Sequence, residues 1–415
     1  MNSRECILTT LNHKEPDRVP IDIGASQVTG ISAIAYYNLK KHLGIQEGYV
    51  RIIDVFQQLA RVEDWFIERF GIDAIDIGSQ FMTNDSDWYD VEVNGIKAQF
   101  PATFKPQHNP DDSYELVHPD GTVLARMSKA AVVMDQMYVP FKEGYPEELN
   151  FQSLLKAIDK LGYTRNPNPP MTLMPTRKFW KEFREKALYL REHTDKIIVF
   201  QPTLTVFQAI HAFRGLDKTL VDVIRKPKII EKFVSLLLEF YISSLKPITK
   251  YIGDVVDIIV LGDDLGENNG PMINPRLYRK HIKYAHEEIC SYIKKNSKMK
   301  VFFHSCGSIV PLIPDLIECG FDILNPIQIN ARNMDPKFLK ENFGYDIVFW
   351  GGGVDTREIP RLGPEQVKKH VTELLEIFAP GGGYVWNPIH NLQADVPPEN
   401  ILAMLEAVNE YSYEN

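Results

Sequence analysis

The stretch 299–320, MKVFFHSCGSIVPLIPDLIECG, carries the residue types best suited to chemistry in this chain. Lys300 to Phe303 read as a short buried strand. His304 and Cys306 follow two residues apart, so on an extended backbone their side chains face the same way. An imidazole and a thiol at the end of a parallel strand, just before its helix, stand where α/β enzymes keep their chemistry, and both are metal ligands. The plainer reading makes His304 a strand cap and Cys306 a small buried hydrophobe. A third ligand would decide. Cys319 is excluded, because the helix after Gly307, with Ile309, Leu312, Ile313, Leu316 and Ile317 as its apolar stripe, carries it roughly 17 Å away. Any further ligand must come from the end of another strand.

Strands of similar character recur: GIDAIDIG (71–78), KIIVFQP (196–202), VVDIIVLGDDLG (255–266), FDILNPIQ (321–328), DIVFWGGG (346–353) and GGYVWNP (382–388). Helical patterns alternate with them at 177–193, 229–245 and 275–294. Repeated β-α units with near-continuous apolar strands imply a parallel sheet covered on both faces. Seven or so such strands favour closure, so the expected fold class is α/β, a single (β/α)8 TIM-type barrel. In a barrel the residues just past each strand share one mouth. Here these are Gly78-Ser79-Gln80, Gln201 and Thr203, Asp263 and Asp264, His304 and Cys306, Asn325, Gln328, Gly351–Gly353 with Asp355, and Asn387 with His390.

His390 thereby becomes the third metal-ligand candidate beside His304 and Cys306, and three protein ligands with an open fourth position is the catalytic zinc arrangement. Adjacent acids cannot both face the cavity. We take Asp264 as the catalytic candidate and Asp263, with Gln201, Asn325, Gln328 and Asn387, as substrate-binding candidates. His211, in FQAIHAFRG, is evenly balanced between a core histidine and a pocket acid, and is the second catalytic candidate. Asp355 before Thr356 reads as a helix cap. The Gly351–Gly353 turn suggests close backbone approach to a ligand and lacks the G-x-G-x-x-G of a dinucleotide site.

Before residue 71 the chain reads as an N-terminal helical extension (1–70), with a helix at 2–12 and helical spacing through Ile52, Val55, Phe56, Leu59 and Val62. Residues 71–415 form the barrel. Within it, 84–137 reads as an antiparallel insertion near the mouth, with hairpin signals at Asn94-Gly95 and Asp120-Gly121. The proline-rich NPNPPMTLMP (166–175) is a connection.

With 415 residues, 44% hydrophobic and 24% charged, the chain can bury a large core. A net charge of −9 without basic tracts excludes a nucleic-acid binder. No apolar run approaches a membrane span, and the N-terminus lacks a signal-peptide core. Four cysteines make no disulfide framework, so a reduced, cytoplasmic setting is expected.

Five motifs in order give a family resemblance: RECILTTLNHKEPDRVPIDIG, LGDDLGENNGPMINP, FFHSCGSIVPLIPDLIECGFDILNPIQ, FWGGGVDT and HNLQADVPPENI. Nearly the whole chain resembles the uroporphyrinogen decarboxylase superfamily, and more closely its branch of corrinoid-dependent zinc methyltransferases. The resemblance implies a (β/α)8 barrel with its site at the strand C-termini. In that branch a His-x-Cys pair is completed by a cysteine nine residues before a glutamate near the C-terminus; counting back from Glu399 gives His390. Gln328 lies close to where some relatives have a glutamate ligand. The arginine-rich N-terminal segment of the true decarboxylases is absent from IDIGASQVTGISAIAYYN, and no acid stands at Gly78-Ser79-Gln80, so a porphyrin polycarboxylate would meet no matching cations.

The resulting expectation is an enzyme, the demethylase component of a corrinoid-dependent system. It would use Zn2+ to move a methyl group from a small methylated donor, such as a methoxylated compound, to the cobalt of a corrinoid (cobalamin). No D-x-H-x-x-G motif occurs, so the corrinoid must arrive on a separate corrinoid protein. The competing expectations are a decarboxylase-like lyase acting on a small carboxylate and a non-catalytic corrinoid-protein partner. The donor, the choice between demethylation and thiol methylation, and the oligomeric state (a homodimer is one option) are not fixed by the sequence.

Overall fold

The computed structural model describes residues 1–165, 175–202 and 204–413. Thr203 and most of the proline-rich connection lie outside the described residues. Seven parallel strands form one sheet: β1 (Ala74–Asp76), β2 (Ile197–Phe200), β3 (Ile258–Gly262), β4 (Lys300–His304), β5 (Ile323–Asn325), β6 (Val348–Trp350) and β7 (Tyr384–Val385), neighbours in that order. Ile21 closes it. This residue bridges in parallel to Ile72, just before β1, and to Trp386, just after β7. Asp22 N–H donates to Trp386 O at 3.0 Å and Asp73 N–H to Ile21 O at 2.8 Å. The segment before residue 71 thus supplies the eighth stave of a (β/α)8 barrel.

Two apolar layers follow from the strand alternation. Ala74, Ile197, Val199, Ile258, Val260, Phe302, Ile323, Val348, Trp350 and Val385 fill the barrel interior, and Ile7 and Leu11 from the helix Ser3–Leu11 join them. That helix sits across the barrel's N-terminal end: Ser3 N–H donates to Asp195 and Arg4 to Asp257, both of which immediately precede strands. The opposite faces of the strands pack against the surrounding helices in a larger core.

The expectation of helix through Ile52–Val62 is overturned. Ile52–Asp54 and Leu59–Ala60 are short antiparallel strands, and helix resumes only at Asp64–Phe70. The Asp54 carboxylate accepts from the Phe56 and Gln57 N–H groups at 2.9 Å, drawing the chain into a side-chain-closed turn. Apolar spacing alone could not reveal that competition. Likewise the pattern 275–294 divides into Pro275–His281 and Lys283–Asn296 at Ile282.

The insertion is antiparallel: a hairpin of Trp88–Val93 with Ile96–Pro101 turns through Asn94 and Gly95, both at positive φ, and a four-stranded sheet spans residues 107–136. It meets the barrel's helical layer where Gln136 Nε2 donates to Ala212 O and Phe141 N–H to Phe213 O, each at 2.7 Å.

Closure depends on a buried clip. The Asp73 carboxylate, fully buried, takes both Arg18 guanidinium nitrogens at 2.7 and 2.5 Å and the Ile21 N–H at 2.8 Å. Asp73→Ala leaves the buried Ile21 N–H without its acceptor and removes the charge-assisted pair with the half-exposed Arg18, so it should cost about 2–3 kcal/mol. Chemical denaturation reads this loss; an unchanged midpoint would show that closure does not depend on the clip.

Candidate metal centre

The inward positions change character toward the strand C-termini. Two residues beyond the last inward apolar side chain stand Asp76, Gln201, His304, Asn325 and Asn387, on five different staves. The eighth stave adds Asp22, whose carboxylate accepts from the Trp350 indole N–H at 2.9 Å. A polar layer thus caps an apolar plug, and the chemistry lies there.

His304 is buried, and its Nδ1 lies 2.6 Å from Asn325 Oδ1. The Asn325 amide nitrogen donates to Trp350 O at 2.8 Å, which fixes the side-chain oxygen toward the imidazole. His304 must therefore carry its proton on Nδ1, leaving the Nε2 lone pair free. That lone pair faces Cys306 Sγ at 3.4 Å. His390 joins them, its ring 5.4 Å from that of His304 and tilted by 75°. The ligand atoms of His304, Cys306 and His390 all lie within 4.8 Å of one another. Donors around a tetrahedral zinc ion stand roughly 3.3–3.8 Å apart, so a modest contraction would let all three bind one ion. Two imidazoles and one thiol, with the second nitrogen of His304 anchored by a buried partner, suit a divalent metal such as zinc.

Burial pushes the His390 imidazole down to about 4, helped by the neighbouring His304 and opposed by Asp264. It is therefore neutral at pH 7, as a ligand must be. Burial, with Asp264 beside it, pushes the Cys306 thiol up. A metal ion would reverse that preference and favour the thiolate.

The two adjacent acids go to different places. Asp264 Oδ1 accepts the Cys306 N–H at 2.9 Å and lies 3.7 Å from His304 Nε2. Asp263 turns away: its carboxylate accepts from Phe207 N–H at 2.7 Å, Gln208 N–H at 2.5 Å and His286 Nε2 at 3.1 Å. Those contacts hold the start of the helix Phe207–Arg214 and leave no face of Asp263 for a ligand.

The other expected site residues are distributed as follows. Asn325 supports His304. Gln328 accepts from Gly307 N–H at 2.7 Å and donates to Asn268 at 3.1 Å. It lines a cavity of about 390 Å³ with Gly266, Glu267, Asn268, Asn269, Met272, Cys306 and Gly307. Gln201 accepts from Gln27 N–H at 2.9 Å, and Asn387 donates to Asp22 O at 2.9 Å. His211 lies half-buried on the helix Phe207–Arg214 with its ring 5.6 Å from Phe207, outside the three-ligand cluster. Gly351–Gly353 serves packing between staves: a Cβ on Gly352 would meet Ile327 O at 2.7 Å. Close approach does matter at Gly266, where a Cβ would meet Cys306 O at 2.6 Å. The cavity wall therefore lies directly on the Cys306 backbone.

Two inward acids were not singled out from the sequence. Burial raises the Asp22 carboxyl to about 7 against hydrogen bonds from Thr29, Ala25 and Trp350, and the Asp76 carboxyl to about 6 against Gly78 N–H and Arg61. Their signal was an acid at an inward position of a β-branched run, in IDIG and AIDIG.

Replacing Asn325 by Ala removes the partner that fixes the His304 tautomer and should weaken zinc binding by about 10–100-fold. Chelator competition measures it; unchanged affinity would refute the tautomer lock. In the metal-free protein, His390 binds its proton less readily when folded than when unfolded. Its contribution to stability is complete above about pH 6.5 and is lost as pH falls toward about 4. Denaturation midpoints across that window should fall less steeply in His390→Gln than in the parent chain, and parallel curves would contradict this.

Comparison with known proteins agrees with this architecture. A profile of the family described as uroporphyrinogen decarboxylase (URO-D) matches residues 199–411, just over half of the chain. The uroporphyrinogen decarboxylase of Pseudoalteromonas atlantica is 41% identical over 151 residues, covering 34% of this chain and 39% of that protein. That of Vibrio campbellii is 27% identical over 154 residues, with the same coverage. The chain thus spans about two-fifths of the length of these relatives. Among solved structures, a methyltransferase from Methanosarcina mazei superimposes with a TM-score of 0.57 at 16% identity, covering 99% of both chains. The barrel, the matched profile and the strand-end site together place this chain in the uroporphyrinogen decarboxylase family.

Proposed function

We propose that this chain is a zinc-dependent methyltransferase that moves a methyl group from a small methylated donor to the cobalt of a corrinoid carried by a separate protein. The observation that carries the reading is the convergence of His304, Cys306 and His390 within 4.8 Å at the barrel mouth. The full-length superposition on a methyltransferase adds support at the level of fold. A bound zinc ion would supply Lewis acidity toward the heteroatom of the donor.

The chain's own residues would prepare that encounter. Asn325 sets the free nitrogen of His304, and Asp264, tied to the Cys306 N–H, shares the pocket. The donor would enter through the cavity at Gln328, Asn268 and Met272. When the methyl group leaves, the heteroatom keeps the bonding electron pair and needs a proton. Asp264 and His211 are the proposed groups that would relay that proton from solvent, with Gln201 and Asn387 as further polar contacts. A single thiolate among the three ligands suits demethylation of the donor better than activation of a thiol acceptor.

A lyase acting on a small carboxylate is the second reading, favoured by the raised Asp22 and Asp76 carboxyls, which can exchange protons near neutral pH. Among the described residues, the inward strand-end positions Asp22, Asp76, Gln201, His304, Asn325 and Asn387 include no lysine or arginine to match a porphyrin's carboxylates. The one cation beside them, Arg61 near Asp76, is committed to the carbonyls of Ser79, Phe81 and Met82.

The test is His390→Ala. Zinc content should fall well below that of the parent, and methyl transfer from a methoxylated donor to cob(I)alamin should drop by about 100-fold or more. Equal zinc and equal transfer would remove the proposal. Carbon dioxide release without any corrinoid would favour the lyase.

A further inference from the structure

The helix Leu216–Arg225 leaves an apolar face uncovered. Helical spacing puts the buried Thr219 and Val223 on one arc, and Leu216, Leu220, Val221 and Ile224 on the arc beside it. Leu216 is 39% exposed, Val221 56% and Ile224 67%. Ile224 is the most exposed large aliphatic side chain among the described residues.

The ties and lengths of the flanking helices put this helix on the mouth side of the barrel. The preceding helix starts at the rim, held there by Asp263, and its far end is tied to Gln136 at the end of the insertion and to Phe141 and Lys142 just after it. The following helix, Pro227–Ile252, has 26 residues and is about 39 Å long. A strand of four or five residues spans only about 13–17 Å. Gly253 O accepts from Lys298 N–H at 3.0 Å, level with the start of β4, so the excess length projects on the mouth side and carries Leu216–Arg225 above the rim.

At helical spacing Lys218 and Arg225 flank the face, and Lys226 and Lys228 follow its C-terminal end, in a chain of net charge −9. Of the nearby acids, Asp222 is buried against Arg214 and Lys226, and the exposed Asp217, in the helix's first turn, falls at helical spacing within the N-terminal end of the face. A second copy docked through the same face would set basic border against basic border. A lipid surface would gain only four aliphatic side chains and no aromatic anchor.

We infer that the exposed face of Leu216–Arg225 is the docking surface for the separate protein that accepts the methyl group, a partner whose contact is apolar and bordered by acidic side chains. This rests on the methyl-transfer reading and assigns its partner a place. Opposite charge on the two borders would steer encounter and make it salt-dependent.

The double variant Val221→Glu with Ile224→Glu changes only exposed side chains. Two acceptors are compared: free cob(I)alamin, and a cobalamin-loaded corrinoid protein from the same organism. Zinc content and transfer to free cob(I)alamin should match the parent, while KM for the protein acceptor rises by roughly 30-fold or more with kcat little changed. In the parent that KM should also rise as ionic strength goes from about 0.05 to about 0.5 M. Equal KM in variant and parent overturns the inference, and so does equal loss with both acceptors. A parent dimer that the variant dissociates, or parent binding to phosphatidylserine vesicles, gives the face to another occupant and also overturns it. A parent that transfers to neither acceptor removes the methyl-transfer reading itself, and this inference with it.

Discussion

The bond between His304 Nδ1 and Asn325 Oδ1 fixes which nitrogen of the imidazole faces the pocket, and the rest of the site depends on that choice. Asn325 can act only as acceptor there, because its amide nitrogen is committed to Trp350 O. Trp350 in turn donates its indole N–H to Asp22 on the closing stave. The orientation of one metal-ligand candidate is therefore tied through three strands to barrel closure. Closure itself is secured at the other end of the barrel by Arg18 and Asp73. Rigid elements hold the polar layer, as pre-organised ligands require.

Much of this was legible in the sequence because strand ends in a closed barrel share one mouth. The apolar runs at 300–304, 323–325, 348–350 and 384–385 declared themselves, and whatever polar residue followed each run had to line the same space. That logic brought His304, Cys306 and His390 together from positions up to 86 residues apart. It could not say which polar residues face the pocket and which serve the scaffold. Asp263 and Asp264 are adjacent and chemically identical. Only the position of the Phe207 and Gln208 N–H groups, set by tertiary packing, turns one of them away. Asn325 is a similar case, since the Trp350 carbonyl that orients it belongs to the next strand.

The eighth stave was the least visible element. Ile21 pairs with both neighbours through isolated bridges, with too few residues to show the alternation that marks a strand. Asp22 went unnoticed with it, although its carboxyl is buried beside Trp350. Residues 52–62 misled for the opposite reason: their apolar spacing fits a helix, but Asp54 offers the backbone a better partner than helix propagation does.

The identity of the third ligand has an electrostatic consequence. A divalent ion, the Cys306 thiolate and the Asp264 carboxylate would sum to zero charge, with both histidines neutral. A cysteine at position 390 would bring that sum to −1 in a buried pocket, where an uncompensated charge is costly. A neutral imidazole avoids the cost, and burial keeps His390 in that form at physiological pH. Asp264 keeps its Oδ1 on the Cys306 N–H and 3.7 Å from His304 Nε2, so it would balance the ion's charge without donating as much electron density as a bound thiolate. With a divalent metal bound, the pocket would combine neutrality with Lewis acidity, two demands that a second thiolate would set against each other.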